Sequence, residues 1–486
     1  MLITLLLLIP LAGAALVYLF GKNNASLAKN LSLGFALGST AVALYALLQL
    51  KVGNTEALSI TREWLPDLGL QLKFHLDGIG MLLVLLSAVL IPLIVLSTFK
   101  LTYEKSHLLY SLILLTQWAL VGVFSAGDVF LFYFFFEVAL VPVYFLALWW
   151  GGESAPKVTF RMFVYTIFGS LFMLVAFIYL YTKGQTADLE ALNSTAILMP
   201  SGVQRALFWA FFLAFAIKMP VFPFHSWQPD VYAESPTLST MLLSGLLSKM
   251  GVFGLLRIAL PLAPAGFQEY ALVTSILAVA GLIYGSFIAI KQDNVKLLIA
   301  YSSFAHMGLM AAGVLSGTAE GMQGAIYQML AHGVNAVGLF YVAKLIFEKT
   351  GSRNLSALGG ISQAAKNLSI AFMIILLGSV ALPLTNGFVG EFLMLKGVFD
   401  FNQTLGVVAG LSIIFGAVYM LRMFQKSMFG PVSEQTAVVE DLRGSEKLVL
   451  YIIAGLVILM GLFPNVLLKV SEPAVQQLIN YLGSVN

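Results

Sequence analysis

Residues 130–150 read FLFYFFFEVALVPVYFLALWW, twenty-one residues with one ionisable side chain, Glu137, inside them. That is the length an α-helix needs to cross the hydrocarbon of a bilayer. A charge at such depth costs roughly 3 kcal/mol on insertion scales, so a carboxylate there is expected to have a task. The stretch decides two things together: the chain crosses a membrane as helices, and its chemistry sits inside them.

Three further stretches repeat the pattern. Lys218 lies in LAFAIKMPVF (213–222), Lys249 in LSGLLSKMGVF (243–253) and Glu391 in GFVGEFLML (387–395). Across all 486 residues, 59% are hydrophobic and only 10% charged, with a mean hydropathy of +0.93. Such a composition leaves no soluble domain of useful size and describes an all-α polytopic membrane protein surrounded by lipid. A net charge of +3 with scattered basic residues argues against nucleic acid as a partner. With no cysteine, the chain has no thiolate for an iron–sulfur cluster, so redox chemistry belongs elsewhere.

Apolar windows of bilayer length give about fourteen spans, near 2–20, 30–50, 77–99, 108–126, 129–150, 159–182, 204–226, 238–260, 270–290, 295–316, 322–347, 368–399, 405–429 and 447–469. The first lacks a basic leader and stays apolar through Phe20, so it reads as a retained span. The stretch 53–75 is too polar to cross and is expected to form a hairpin or surface helix; the tail after Pro473 is short and amphipathic. Loops after odd-numbered spans hold fifteen basic residues, whereas Lys51, Arg62, Lys73, Lys183, Arg205, Arg257 and Lys469 fall on the other side. The positive-inside rule makes the odd loops cytoplasmic and puts both termini outside.

Span 7 carries Pro220 and Pro223 just after Lys218, and span 12 carries Pro383, Asn386 and Gly387 just before Glu391. Both are expected to break inside the membrane, with hydrated cavities at the breaks. The breaks lie five spans apart, so spans 4–8 can be laid over spans 9–13 as a tandem repeat, inverted because the unit is odd. The chain then divides into 1–107 (spans 1–3), 108–260 (first repeat), 268–429 (second, inverted repeat) and 430–486 (span 14 and tail). This register sets Lys218 roughly against Glu391 and Glu137 against His306.

These residue types suit proton transfer. Burial disfavours the charged form of a lysine and a nearby carboxylate restores it. At an effective dielectric near 20 and about 7 Å, that attraction is worth roughly 2.4 kcal/mol, so moving or neutralising the carboxylate changes the lysine's proton occupancy. Lys249, His306, His332 and Glu391 supply further stations, and imidazole titrates near neutral pH. The competing reading makes Glu137 and Lys218 a structural ion pair, although such pairs are often energetically neutral. His306 and His332 alone are equally compatible with hydrogen bonds to neighbouring carbonyls, while Lys344 and Lys396 sit near helix ends and snorkel. His225 is expected to order the span 7 break; Asp77 and Asp128 to cap helices.

The stretches KMPVFPFHSWQPDVYAESPT (218–237), SGLLSKMGVFGLLR (244–257), DNVKLLIAYSSFAHMG (293–308), QMLAHGVNAVGLFY (328–341) and NGFVGEFLMLKG (386–397) resemble the antiporter-like subunits of respiratory complex I over essentially the whole chain. The sister subunits L and N, and the related Mrp antiporter chains, typically carry Lys where Glu391 stands, which brings the resemblance to the M-type subunits, counterparts of mitochondrial subunit 4. It implies fourteen helices with inverted repeats and proton translocation driven by NADH-to-quinone electron transfer in other subunits, which would hold the flavin, iron–sulfur clusters and quinone. This chain would hold no cofactor. The resemblance also makes Glu137 and Lys218 the coupled pair, Lys249 the central relay, His306 and His332 bridges and Glu391 the far station. Subunits L and N would flank the chain, in a bacterial inner membrane. Where the family commonly has a second His and a Leu, this chain has Tyr232 and Gln228, so no titrating group is expected in that loop. The alternatives are an Mrp-type cation/proton antiporter subunit and a structural scaffold.

Overall fold

A computed structural model describes residues 2–66 and 69–484. In hydrocarbon every backbone polar group must find an internal partner, so the apolar stretches fold as helices. In chain order these are α1 (Leu2–Phe20), α2 (Ala25–Lys51), α3 (Gly78–Leu96), α4 (Ser106–Ser125), α5 (Val129–Trp150), α6 (Ala155–Gly184), α7 (Ser201–Lys218), α8 (Thr237–Leu262), α9 (Pro264–Lys291), α10 (Val295–Leu315), α11 (Ala319–Thr350), α12a (Lys366–Ser379), α12b (Asn386–Phe401), α13 (Gln403–Met428) and α14 (Ser445–Leu462). Twelve helices among the described residues are long and apolar enough to cross a membrane, and α7, α12a and α12b are not among them. Those are the two places where the sequence predicts a break.

Each interruption has a local cause. The helix of span 7 stops at Lys218, short of the predicted limit of 226, because Pro220 and Pro223 offer no N–H to continue the ladder. The chain resumes as a short helix, Gln228–Glu234. Between α12a and α12b, Ala381 and Leu384 take left-handed backbone angles. Gly387 follows where a Cβ would lie 2.0 Å from the Gly378 carbonyl, so no other residue lets the second half return beside the first. α5 is interrupted at Ala139, two residues after Glu137, where Pro142 has no N–H to offer the Val138 carbonyl.

α8 and α11 are buried nearly all round, whereas α2, α13 and α14 turn large faces outward. Polar residues on α8 and α11 therefore face protein, and the site is built there.

Of the two expectations for residues 53–75, the hairpin is correct. Ser59–Leu65 pairs antiparallel with Leu70–His75. Lys73 fastens the hairpin to Asp188 at 2.5 Å. Burial works against that ammonium, but Asp188 and Glu190 outweigh it and raise its pKa. The C-terminal tail is longer than expected, a helix over Asn465–Gly483 with Pro473 inside it. It lies against the start of α3, where a Cβ on Gly78 would meet the Val470 carbonyl at 1.8 Å. Asp77 and Asp128 cap α3 and α5 as expected, each side chain accepting from backbone N–H groups of the first turn.

One cap comes from far along the chain. Asp441, in the loop before α14, accepts from the N–H groups of Asn367 (2.9 Å) and Leu368 (3.1 Å) at the start of α12a and from the Asn367 amide (2.7 Å). Partial burial opposes the charge, yet these donors hold the carboxyl below its ordinary value of 3.8. A lowered pKa contributes stability above the unfolded value and loses it as pH falls through the folded one. Asp441→Ala should therefore cost about 1 kcal/mol near neutral pH. In thermal unfolding, the gap from wild type should close below the ordinary value of 3.8; a gap independent of pH would contradict the assignment.

Candidate functional site

Lys249 is completely buried in α8, between two wide π-helical turns, Leu243–Leu247 and Leu255–Ala259. In the first turn the Ser248 N–H bonds the Leu243 carbonyl at 3.1 Å, one residue further back than in an α-helix. The Ser244 carbonyl is left for side chains, and accepts from the Ser248 hydroxyl at 3.1 Å and from Lys249 Nζ at 2.5 Å. Lys249 Nζ also lies 2.7 Å from His332 Nδ1 on α11. The approach depends on small residues: a Cβ on Gly333 would stand 2.9 Å from the Gly245 carbonyl, so the backbones of α8 and α11 nearly touch beside His332.

From His332 the polar groups continue. Its ring centroid is 5.6 Å from that of His306 on α10. His306 Nδ1 lies 3.2 Å from Glu391 Oε1 on α12b, within ion-pair distance though not aligned as a hydrogen bond. Two cavities of about 10 Å³ meet at His306, one toward Ser302, Ser303, Gln328, His332 and Asn335, the other toward Ser286, Glu391, Ser412 and Tyr419. Each is the size of one water, and the walls carry polar partners for it. The unpartnered buried oxygens Gln328 Oε1, Glu391 Oε1 and Ser412 Oγ belong to residues lining these cavities.

Glu137 and Lys218 stand apart from this row. Among the described residues they form no direct ion pair; Ser170 lies beside Glu137, its hydroxyl donating to the Ile167 carbonyl at 3.0 Å, and Lys218 Nζ sits 4.7 Å from the centre of the Phe136 ring. They interact through space. Lys218 adjoins the Lys249 segment through glycine: a Cβ on Gly251 would come within 2.6 Å of Met219 Cβ and 2.8 Å of the Phe215 carbonyl. His225 stacks on Phe304 at 4.4 Å, and its carbonyl accepts the Gln228 N–H at 3.0 Å, so it orders the break as expected. Lys344 pairs with Glu348, and Lys396 with Glu320 and Asp400, both near helix ends. The Phe-rich run before Glu137 is largely core: Phe132, Phe135 and Phe136 are buried, with Phe134 outward.

Sequence reading missed Ser244, Gln328, Asn335 and Tyr419. Gln328, His332 and Asn335 recur at helical spacing on one face of an apolar helix, a signal the sequence does contain. Tyr419, whose hydroxyl accepts from Ser302 at 3.2 Å, carries no such signal. Among the described residues no group of three or more His, Asp or Glu is arranged to hold a metal ion.

A family model described as NADH:quinone oxidoreductase/Mrp antiporter, TM, matches residues 126–416. NADH-quinone oxidoreductase subunit M of Rickettsia prowazekii is 36% identical, with 98% of each chain covered. The Escherichia coli K12 protein of that name is 34% identical over 98% of this chain and 97% of its own. Among solved structures, a chain of respiratory complex I from Thermus thermophilus with bound NADH superposes with a TM-score of 0.91 at 33% identity, covering 99% of this chain and 100% of that one. A chain of the Mrp complex from Dietzia sp. shares the fold, with a TM-score of 0.85, 21% identity, and 100% of this chain matched to 55% of that one.

Two substitutions probe the packing that assembles the row. The Asn386 amide bonds Asn335 Oδ1 at 3.1 Å and the Ala331 carbonyl at 3.3 Å. Asn386→Ala should strand both acceptors and cost roughly 1–3 kcal/mol, read as a lower thermal unfolding midpoint. Gly251→Ala should cost a similar ~1–3 kcal/mol by overpacking. An unchanged midpoint in either would show that α11 and α12b, or α7 and α8, are not held by these contacts.

Proposed function

The chain belongs to the subunit M family of NADH-quinone oxidoreductase, antiporter-like proton-pumping membrane subunits, and from that premise we infer that its buried Lys, His and Glu residues form the proton path. One observation carries this reading: Lys249, His332, His306 and Glu391 lie in a row across α8, α11, α10 and α12b, with 2.7 Å at one end and 3.2 Å at the other. At 2.7 Å a proton passes between Lys249 Nζ and His332 Nδ1 without rearrangement of the helices. His332 then releases a proton from its other ring nitrogen, and water in the intervening cavity delivers it to His306 and Glu391. Glu137 and Lys218 set the charge state at the near end, since neutralising Glu137 withdraws the attraction that favours an ammonium at Lys218.

The inverted repeat has support of its own. Asp128 bridges to Asp188 and Asn294 to Asn354. Both bridges span the same interval (188 − 128 = 354 − 294 = 60), and they are offset by 294 − 128 = 166 residues. They join the starts of α5 and α10 to the segments that follow α6 and α11. On that offset Glu137 falls on Ser303, one turn before His306, so the repeats agree within a helical turn at this position.

Electron transfer takes place in partner subunits, since this chain has no cysteine to ligate a cluster. Subunits L and N are its expected neighbours in the membrane arm. The excess of basic residues in the odd loops favours an orientation with both termini outside, and a bacterial inner membrane is the expected location. The Mrp likeness rests on fold at 21% identity, and Glu391 argues against that reading.

In the assembled complex, Lys249→Ala or Glu137→Gln should lower the rate of proton translocation through this subunit by about tenfold or more, while subunit composition stays intact. Full pumping in these variants would remove them from the path. Loss of assembly in Lys218→Ala and Glu391→Gln, with proton flux preserved in what assembles, would favour a scaffold instead.

A further inference from the structure

A groove of about 820 Å³ opens on the face where α2 ends, α3 begins and the helix Asn465–Gly483 lies across the bundle. Leu50, Val466 and Val470 supply apolar wall, and Lys51, His75 and Lys469 bring basic groups to it. Asp77 is the one acidic residue in the lining, and its charge is already matched by Arg257 at 2.6 Å. Among the described residues neither Lys51 Nζ nor Lys469 Nζ has a hydrogen bond or ion pair. They are two of the seven basic residues that the sequence places in the even-numbered loops and the tail.

The groove is a fixed cleft. The helix Asn465–Gly483 is held by the close approach of Val470 to Gly78, by Ser471 bonding Gln323 of α11 at 2.7 Å, and by Tyr481 bonding the Asn193 and Pro261 carbonyls at 3.0 and 2.9 Å. Its walls therefore persist without an occupant.

We propose that this groove binds one anionic phospholipid, its phosphate between Lys51 and Lys469 and an acyl chain along Leu50, Val466 and Val470. Three features select a lipid. The groove lies at the ends of membrane helices, the depth of headgroups; an amphipathic helix bounds it, as at a membrane surface; and its unneutralised charge is positive beside apolar wall. Lysine stems run along apolar surface while the ammonium reaches the headgroup layer. The site is independent of the proton path.

The test uses the assembled complex in mild detergent, with native mass spectrometry after addition of phosphatidylglycerol, phosphatidylcholine or inorganic phosphate. Wild type should retain one more phosphatidylglycerol than the double variant Lys51→Gln/Lys469→Gln, with equal phosphatidylcholine in both and no displacement by inorganic phosphate. Lys51→Arg/Lys469→Arg should retain it. Equal phosphatidylglycerol counts, or parallel loss of both lipids, would overturn the proposal. A photoreactive residue at position 466 of the otherwise native complex gives a second readout: cross-linking to phospholipid supports the site, and cross-linking to a polypeptide assigns the groove to a neighbouring subunit.

Discussion

The ammonium of Lys249 is fully enclosed, on a helix that is itself enclosed, and the centre of the bundle is arranged around its hydrogen bonds. An ammonium has three donors and no acceptor, and leaving them unmet in the interior costs several kcal/mol. Three acceptors meet them: the Ser244 carbonyl at 2.5 Å, the Ser248 hydroxyl at 3.4 Å and His332 Nδ1 at 2.7 Å. Two come from α8 itself, which is possible only because its turn widens and frees a carbonyl. The third comes from α11, which reaches it only because Gly245 and Gly333 let the two backbones close. A π-turn and a pair of glycines, weak choices for helix stability, serve one buried amino group.

The breaks at α7 and α12 answer the same constraint in another way. An interrupted helix exposes backbone groups that must be satisfied, so it draws polar side chains and water to mid-membrane. Asn386 turns its amide to Asn335 and Ala331, and its neighbours Ser379 and Glu391 line the small cavities at His306. The carboxylate of Glu391 thus gains hydrated surroundings that an unbroken helix would deny it.

Much of this was legible in sequence because the bilayer makes length and polarity unusually decisive. Apolar length and proline predict about fourteen spans and both breaks; twelve helices among the described residues are long and apolar enough to cross, and the two interrupted spans make up the difference. The partner of Lys249 was not legible, since nothing in a linear pattern states that α8 and α11 touch at Gly245 and Gly333. Nor were the immediate neighbours of Glu137 and Lys218, since no linear pattern names Ser170 or the Phe136 ring as the groups beside them. The helical extent of the tail was underestimated because Pro473 reads as a stop, whereas the helix starts after Pro464 and continues through it.

The distances also constrain how many protons the row can hold. Two positive charges at the 2.7 Å separating Lys249 from His332 would repel by about 6 kcal/mol even at an effective dielectric near 20. The pair therefore carries at most one positive charge, and its two groups titrate together. A second proton arriving at Lys249 must expel the first through the far side of His332, where a water-sized cavity shared with His306 offers a polar exit. Beyond it stands a carboxylate, which attracts the expelled charge, where a lysine would have opposed it. Among the described residues no hydrogen bond joins the two imidazoles, whose centres are 5.6 Å apart and whose rings are tilted by 60°, so the inferred relay is conductive when that cavity holds water and interrupted when it does not.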